Sequence, residues 1–194
     1  MHWLVVIGGY LLGSLLPGDW IVRRRTGLSA DEQDDNPGGA GTWRLAGPAA
    51  GVLVTAFDLV KGAIPVALAQ KVGMTGAWMI AAAAAPVAGH NWPWYRRWRG
   101  GRGLAAATGA LFCLDLAHVL PGYVLGAIAA WRRGWVPMVG VVAFPVGLLT
   151  MWAGGAPALK IQAALAVMLL VALRQASWVK ARIRAGQPIL LSRP

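Results

Sequence analysis

The chain has 194 residues, 57% of them hydrophobic and a further 26 glycine, with only 13% charged. Soluble globular chains hold about 45–50% apolar residues, glycine included, so too little polar surface is left here to cover a water-exposed fold, and a disordered chain is excluded as well. The formal charge of +11, from 18 Lys+Arg against 7 Asp+Glu, suits either nucleic acid or a membrane; in so apolar a chain it reads as membrane topology, with no nucleic-acid partner.

A crossing needs about 20 apolar residues. Residues 3–22 supply one, with Pro17 and Asp19 marking a weak or kinked end. Met1-His2-Trp3 has no basic region and no small-residue cleavage site follows Gly13-Ser14, so this run reads as a retained span. Residues 23–47 are polar and rich in Gly and Pro, which predicts a loop. Residues 48–70 form a second span carrying Asp58 and Lys61, and 74–93 a third. The stretch 94–103 is basic and glycine-rich. Residues 104–131 allow one long helix or two short ones bent near Asp115, His118 and Pro121. Two more spans follow at 135–153 and 157–174. The tail 175–194 is basic and suits an amphipathic helix lying at the membrane surface. Gly9-xxx-Gly13 and Gly122-xxx-Gly126 are close-packing signals. The lone Cys113 excludes an internal disulfide and reads as a small core residue.

Charge placement chooses between the two forms of 104–131. Cytoplasmic loops carry the excess of Lys and Arg. If the N-terminus lies outside and 104–131 crosses twice, all Lys and Arg except Lys61, Lys71 and Lys160 fall inside. A single crossing would put Arg132 and Arg133 on the opposite side from the tail. The expectation is an all-α, polytopic membrane protein of about seven spans, N-terminus outside, in one membrane domain over 1–194, with motif loops 23–47 and 94–103 and the tail 175–194 in the cytoplasm.

Three inward-facing segments hold the unusual polar residues. In Asn36-Pro37-Gly38-Gly39-Ala40-Gly41-Thr42-Trp43-Arg44 the glycines let N–H groups turn toward an anion and Arg44 adds bidentate charge; a plain flexible loop has the same composition. Asp58 and Lys61 lie three apart on one helix face and can pair, and charges at membrane depth face a polar cavity or each other. Gly89-His90-Asn91-Trp92-Pro93 precedes Arg99-Gly100-Gly101-Arg102-Gly103, a basic glycine turn that opens a helix and so offers an anion both converging N–H groups and the helix dipole. It matches neither the P-loop nor the dinucleotide fingerprint.

With these residues in place, the sequence resembles the bacterial membrane acyl-phosphate:glycerol-3-phosphate acyltransferase family. Tyr10-Leu11-Leu12-Gly13-Ser14-Leu15-Leu16-Pro17 resembles its first-span signature, Asn36-Pro37-Gly38 with Arg44 its first cytoplasmic motif, Asp58-x-x-Lys61-Gly62 with Pro65 its second-span motif, and Gly89-His90-Asn91-x-Pro93 with Gly100-Gly101-Arg102-Gly103 its glycine-rich motif. The resemblance implies a helical membrane fold of the bacterial plasma membrane. It implies transfer of a fatty acyl group from acyl phosphate to the 1-hydroxyl of glycerol 3-phosphate, giving lysophosphatidate for phospholipid synthesis, without metal or other cofactor, by a monomer in contact with membrane lipid. Acyl phosphate is a mixed anhydride with a good leaving group, so orientation and charge neutralisation matter more than a strong base. By resemblance, Gly100, Gly101, Arg102 and Gly103 hold phosphate together with Asn36, Gly38, Arg44 and Lys61, while His90, Asn91 and Asp34 are the catalytic candidates.

The chain departs from the family pattern at several points. Gln33-Asp34-Asp35 stands where the family has Gly-Ser-Gly, and Gly41 replaces an Asn. Pro137 and Gly140 stand at late-span serines. Ala176, Val179 and Pro188 replace the C-terminal His, Asn and Glu, leaving Arg182 and Gly186. A catalytically impaired homologue binding glycerol phosphate or lipid, or an unrelated small membrane transporter, are the alternatives. The acids of 31–35 read as a solvated loop, a base or substrate contact, or a cation site.

Overall fold

The computed structural model describes residues 1–33, 35–134 and 138–186. Its described elements are helices: α1 His2–Ser14, α2 Pro17–Thr26, α3 Gly39–Ala46, α4 Pro48–Lys71, α5 Gly76–Asn91, α6 Leu104–Arg133, α7 Met138–Ala153 and α8 Ala158–Arg184, with short 3₁₀ turns at Asp31–Gln33 and Trp94–Arg96. The stretches His2–Thr26, Pro48–Lys71, Leu104–Arg133 and Ala158–Arg184 are long and apolar enough to cross a membrane. α5 and α7, at 16 residues each, reach about 24 Å, a little short of a ~30 Å hydrocarbon core.

The first apolar run breaks where Pro17 removes a backbone donor. α1 stops at Ser14 and α2 restarts with Pro17 in its first turn. The freed carbonyls at the break are met from elsewhere: Tyr95 donates its hydroxyl to Ser14 O (2.9 Å) and Lys61 donates Nζ to Leu15 O (2.6 Å). Between 23 and 47 the expected loop is instead largely helical. α2 runs on to Thr26, ended by left-handed Gly27, and Gly39–Ala46 forms α3. Glycines lower helix propensity, but Gly39 and Gly41 let α3 settle against Thr55 of α4 and the Asn36 backbone, where a methyl group would stand 1.9 Å from each.

Close helix approach recurs through the core. A side chain at Gly13 or Gly89 would strike the backbone of the facing α5 or α1, and one at Gly62 or Gly109 that of α6 or α4. Gly9 faces Pro65 and Ala85, while Gly122 and Gly126 face α7 at Ala143 and Val139. Small residues pack membrane helices this way because lipid supplies no hydrophobic drive between them. Around these crossings, Val66, Val87, Leu111, Val119, Met151 and Val167 are fully buried.

α6 is two helices joined at Asp115, whose backbone is extended (φ −164°, ψ 79°). The rings of Phe112 and Tyr123 stand 4.7 Å apart, although a straight helix would separate these positions by about 16 Å along its axis. The chain therefore folds back on itself. Leu104, at one end of the hairpin, approaches Gly140, and Gly126 on the returning arm approaches Val139. Asp115 holds the turn through His118 Nδ1 (2.8 Å) and Lys160 Nζ (3.0 Å).

α8 runs unbroken over 27 residues. Residues 175–184 therefore continue the preceding helix instead of forming a separate surface helix; no Gly or Pro interrupts them. Residues 187–194 of that tail lie outside the described residues.

Candidate active site

The break after α1, the 3₁₀ turn Asp31–Gln33, α3, the middle of α4, the end of α5, the 94–103 loop and the distal part of α8 come together toward one end of the bundle. Two groups of polar side chains lie there.

The first is buried. Asp58 and Lys61, one turn apart on α4, pair at 2.7 Å. His90, on the last turn of α5, turns Nδ1 toward Asp58 Oδ1 at 3.5 Å, long for a direct hydrogen bond. All three are at most 2% exposed. The other side of the imidazole is closed by glycine: a methyl group on Gly101 would stand 2.1 Å from His90 Nε2, and one on Gly38 3.8 Å from it. Asn91 donates Nδ2 to Leu170 O (3.2 Å), while its Oδ1 is buried without a hydrogen-bond partner against left-handed Gly103.

The second group lines a cleft of about 300 Å³, counting its open mouth, bounded by Asp31, Asp35, Asn36, Pro37, Gly100, Arg102, Arg174 and Trp178. Pro37 and Gly100 are the chain neighbours of Gly38 and Gly101, so a single layer of backbone separates the cleft from His90. Arg174 holds the glycine turn in place, donating Nε to Gly101 O (3.0 Å) and an Nη to Gly100 O (2.7 Å). Arg102 stacks on Trp178, with Cζ 3.9 Å from the ring centre, and Arg182 Cζ lies 5.1 Å from the same ring. Burial pulls the Arg102 guanidinium down to about 10, and neighbouring Arg44, Arg182 and Arg174 add to that while Asp35 opposes it. The 94–103 loop reaches this point through left-handed Arg97 and Trp98, a conformation uncommon outside glycine.

The structure rearranges the sequence-derived roles. Asn36, Gly100 and Arg102 line the cleft together; Gly38, Gly101, His90 and Asn91 lie directly behind it. Lys61, expected as a phosphate counter-charge, is not a lining residue: Asp58 and Leu15 O occupy its ammonium. Arg44 forks onto Asp35 through Nε (2.8 Å) and Nη2. The glycine turn already gives its Gly101 N–H to His90 O (2.9 Å). Its glycines serve close approach to His90 and Asn91. Asp34 and Pro137 lie outside the described residues.

The described acids of 31–35 have partners, although Asp31 and Glu32 stay exposed to solvent. Arg96 meets Asp31 at 2.7 Å and Asp19 at 3.2 Å, Glu32 accepts from Ser29 N–H and Oγ, and Asp35 takes Arg44. Burial pushes the Asp31 carboxyl up against the pull of Arg96, and the two Ser29 donors hold Glu32 low. Among the described residues, no cluster of His, Cys, Asp or Glu could hold a metal ion. Arg174 and Trp178 were not among the expected site residues. The only signal for them in the sequence is their i, i+4 spacing with Arg182, which is visible only if α8 continues past 174.

A family model described as glycerol-3-phosphate acyltransferase matches residues 3–185. A glycerol-3-phosphate acyltransferase of Halalkalibacterium halodurans is 35% identical over 162 residues, 79% of either chain. One from Syntrophotalea carbinolica is 32% identical over 161 residues, covering 81% of this chain and 82% of the relative. Among solved structures, PlsY, an integral membrane glycerol 3-phosphate acyltransferase, superimposes in its glycerol 3-phosphate form with a TM-score of 0.84 at 26% identity, covering 96% of this chain and 93% of that one. Its lysophosphatidic acid form gives 0.80 at 27% identity.

Proposed function

Because this chain belongs to the glycerol-3-phosphate acyltransferase family, we propose that its acceptor phosphate binds in the cleft between Asn36, Gly100, Arg102 and Arg174, with the reacting hydroxyl directed toward His90. The protein is a multi-pass acyltransferase of the bacterial plasma membrane that acylates glycerol 3-phosphate in phospholipid synthesis. Membership of the family sets aside the unrelated transporter.

The observation that carries the site is the meeting of two guanidinium groups and the Asn36 amide one backbone layer from a buried imidazole. Guanidinium forks bind phosphate oxygens bidentately. The donor in this reading is acyl phosphate. The acceptor's 1-hydroxyl oxygen adds to the acyl carbonyl, the carbonyl's bond to the phosphate oxygen breaks, and phosphate leaves while the hydroxyl proton is released. Two anionic substrates must sit side by side, so charge neutralisation by Arg102 and Arg174, with Arg44 at the rim, lowers the barrier more than a strong base does. Asp58 orients His90 by facing Nδ1, which aims Nε2 at Gly38 and Gly101. Lys61 pairs with Asp58 and ties both to the α1–α2 break. Asn91 fixes the turn at Gly103. The protein acts as a monomer with about seven spans and its N-terminus outside.

The test is purified protein in lipid with palmitoyl phosphate and glycerol 3-phosphate, read as lysophosphatidate formed. Turnover that saturates in both substrates is expected. No product while glycerol 3-phosphate still binds would overturn the catalytic reading. Asp34→Ser in the same assay reads position 34: a raised rate means a serine there assists the transfer, and an unchanged rate removes Asp34 from the site.

A further inference from the structure

The cations at this end of the bundle are held in different ways. Arg44 is matched by Asp35, Arg96 by Asp19 and Asp31, and Arg174 by two backbone carbonyls. Arg102 differs. Among the described residues no carboxylate pairs with it, its Nε is buried without a hydrogen-bond partner, and its one close contact of defined geometry is the face of Trp178 at 3.9 Å. A guanidinium held by an aromatic face keeps its in-plane N–H donors uncommitted, because stacking uses the plane's faces and hydrogen bonds its edge. Trp178 stands one turn beyond Arg174 and one before Arg182 on α8, so the three share a helix face turned to the 100–103 loop. The indole brings no titratable group; its N–H is a donor only. Its contribution to the cleft is shape and π charge.

We propose that Trp178 is a positioning residue for acceptor recognition: its ring sets the plane of Arg102 so that the guanidinium edge faces the cleft and receives the phosphate of glycerol 3-phosphate. This rests on the reading of the cleft as the acceptor site. The stack offsets part of the cost of burying Arg102 among Arg44, Arg174 and Arg182, the same surroundings that pull its affinity for a proton down. It also keeps Arg102 from turning to Asp35, which already holds Arg44. A phosphate entering the cleft then meets a desolvated cation with open donors, the condition under which charge-assisted hydrogen bonds are strongest.

The experiment compares wild type, W178F and W178L as full chains in lipid, with glycerol 3-phosphate varied at saturating palmitoyl phosphate. W178L is expected to raise KM for glycerol 3-phosphate about 3- to 30-fold, the range of a lost cation–π contact, with kcat within about twofold on the same scale. The inhibition constant for inorganic phosphate against the acceptor rises in parallel, and KM for the acyl donor stays put. W178F restores most of the affinity. A purely structural loss would lower kcat or thermal stability without this selective shift. An unchanged acceptor KM in W178L, a W178F as weak as W178L, or a fall in kcat alone would overturn the proposal. Calorimetric titration of glycerol 3-phosphate separates the two readings. If wild type binds it without turnover, the catalytic reading fails alone and the ratio of Kd values still decides for or against Trp178. If wild type does not bind it, the acceptor site and the role of Trp178 fall together.

Discussion

Arg174 does two things at once: it closes the carbonyls of Gly100 and Gly101 with its fork, and it brings charge to the cleft wall. Hydrogen bonds from a charged group contribute about 1.5–3 kcal/mol each, so Arg174→Ala is expected to raise KM for glycerol 3-phosphate at least about tenfold, the equivalent of 1.4 kcal/mol. Arg174→Lys keeps the charge but not the fork and recovers only part; steady-state kinetics distinguish the two. Gly101 is constrained from the other side. A methyl group 2.1 Å from His90 Nε2 cannot be accommodated without moving the ring or the turn, and misplacement of a reacting group by about 1 Å can cost 10²-fold. Gly101→Ala is therefore expected to lower kcat by about 10- to 100-fold. Burial pulls the Arg102 guanidinium down to about 10, still well above neutral, so its charge persists over the working range. KM for glycerol 3-phosphate should therefore stay level from about pH 7 to 9, read from steady-state kinetics.

At the scale of elements, the reversal within α6 sets which end of the chain reaches the site. Asp115 ties the hairpin to α8 through Lys160 and caps its own returning arm through His118. Lys160 is partly exposed, which weakens that pair, yet the Asp115 side chain is largely buried and its loss strips a partner from both Lys160 and His118. Asp115→Ala is expected to destabilise the protein by about 1–2 kcal/mol, seen as a lower unfolding midpoint, with acyl transfer intact below the transition because the cleft lies at the opposite end of α8. Loss of activity at low temperature would instead couple the hairpin to the site. The continuity of α8 matters as much. Stopping the helix at residue 174 would leave Trp178 and Arg182 out of reach of Arg102.

The whole molecule is electrically one-sided. Arg23, Arg24, Arg25, Arg44, Arg96, Arg97, Arg99 and Arg102 sit at the end that carries the cleft, and the returning arm of α6 brings Arg132 and Arg133 to the same end. Lys71 lies beside the α6 hairpin tip through the contact of Gln70 with Cys113 and Leu114, and Lys160 pairs with Asp115 there. The proposed topology puts this basic end in the cytoplasm, the side on which Lys and Arg collect. Single cysteines in a Cys113→Ser background check this. Arg97→Cys should react with a membrane-impermeant thiol reagent only after permeabilisation, and Gly155→Cys in intact cells. The reverse pattern would invert the proposed topology.

Composition alone established a helical membrane protein, because 13% charge cannot cover so apolar a chain in water. Charge placement favours folding residues 104–131 back near Asp115, His118 and Pro121. Asn36, His90, Asn91 and the 100–103 turn are legible because they lie in or beside glycine-rich basic turns that suit an anion and match the family motifs. Side-chain partnership was not legible. The spacing of Lys61 does not show that Leu15 O at the α1–α2 break accepts from its ammonium, and the acids Asp31, Glu32 and Asp35 do not show in sequence that Arg96, Arg23 and Arg44 reach them from other elements. Arg174 and Trp178 were hidden because a basic, tryptophan-bearing tail reads equally as a surface helix or as the end of a span. The difference lies in contacts made across 70 residues or more of chain, which periodicity does not encode and only the packing of α8 against the glycine turn decides.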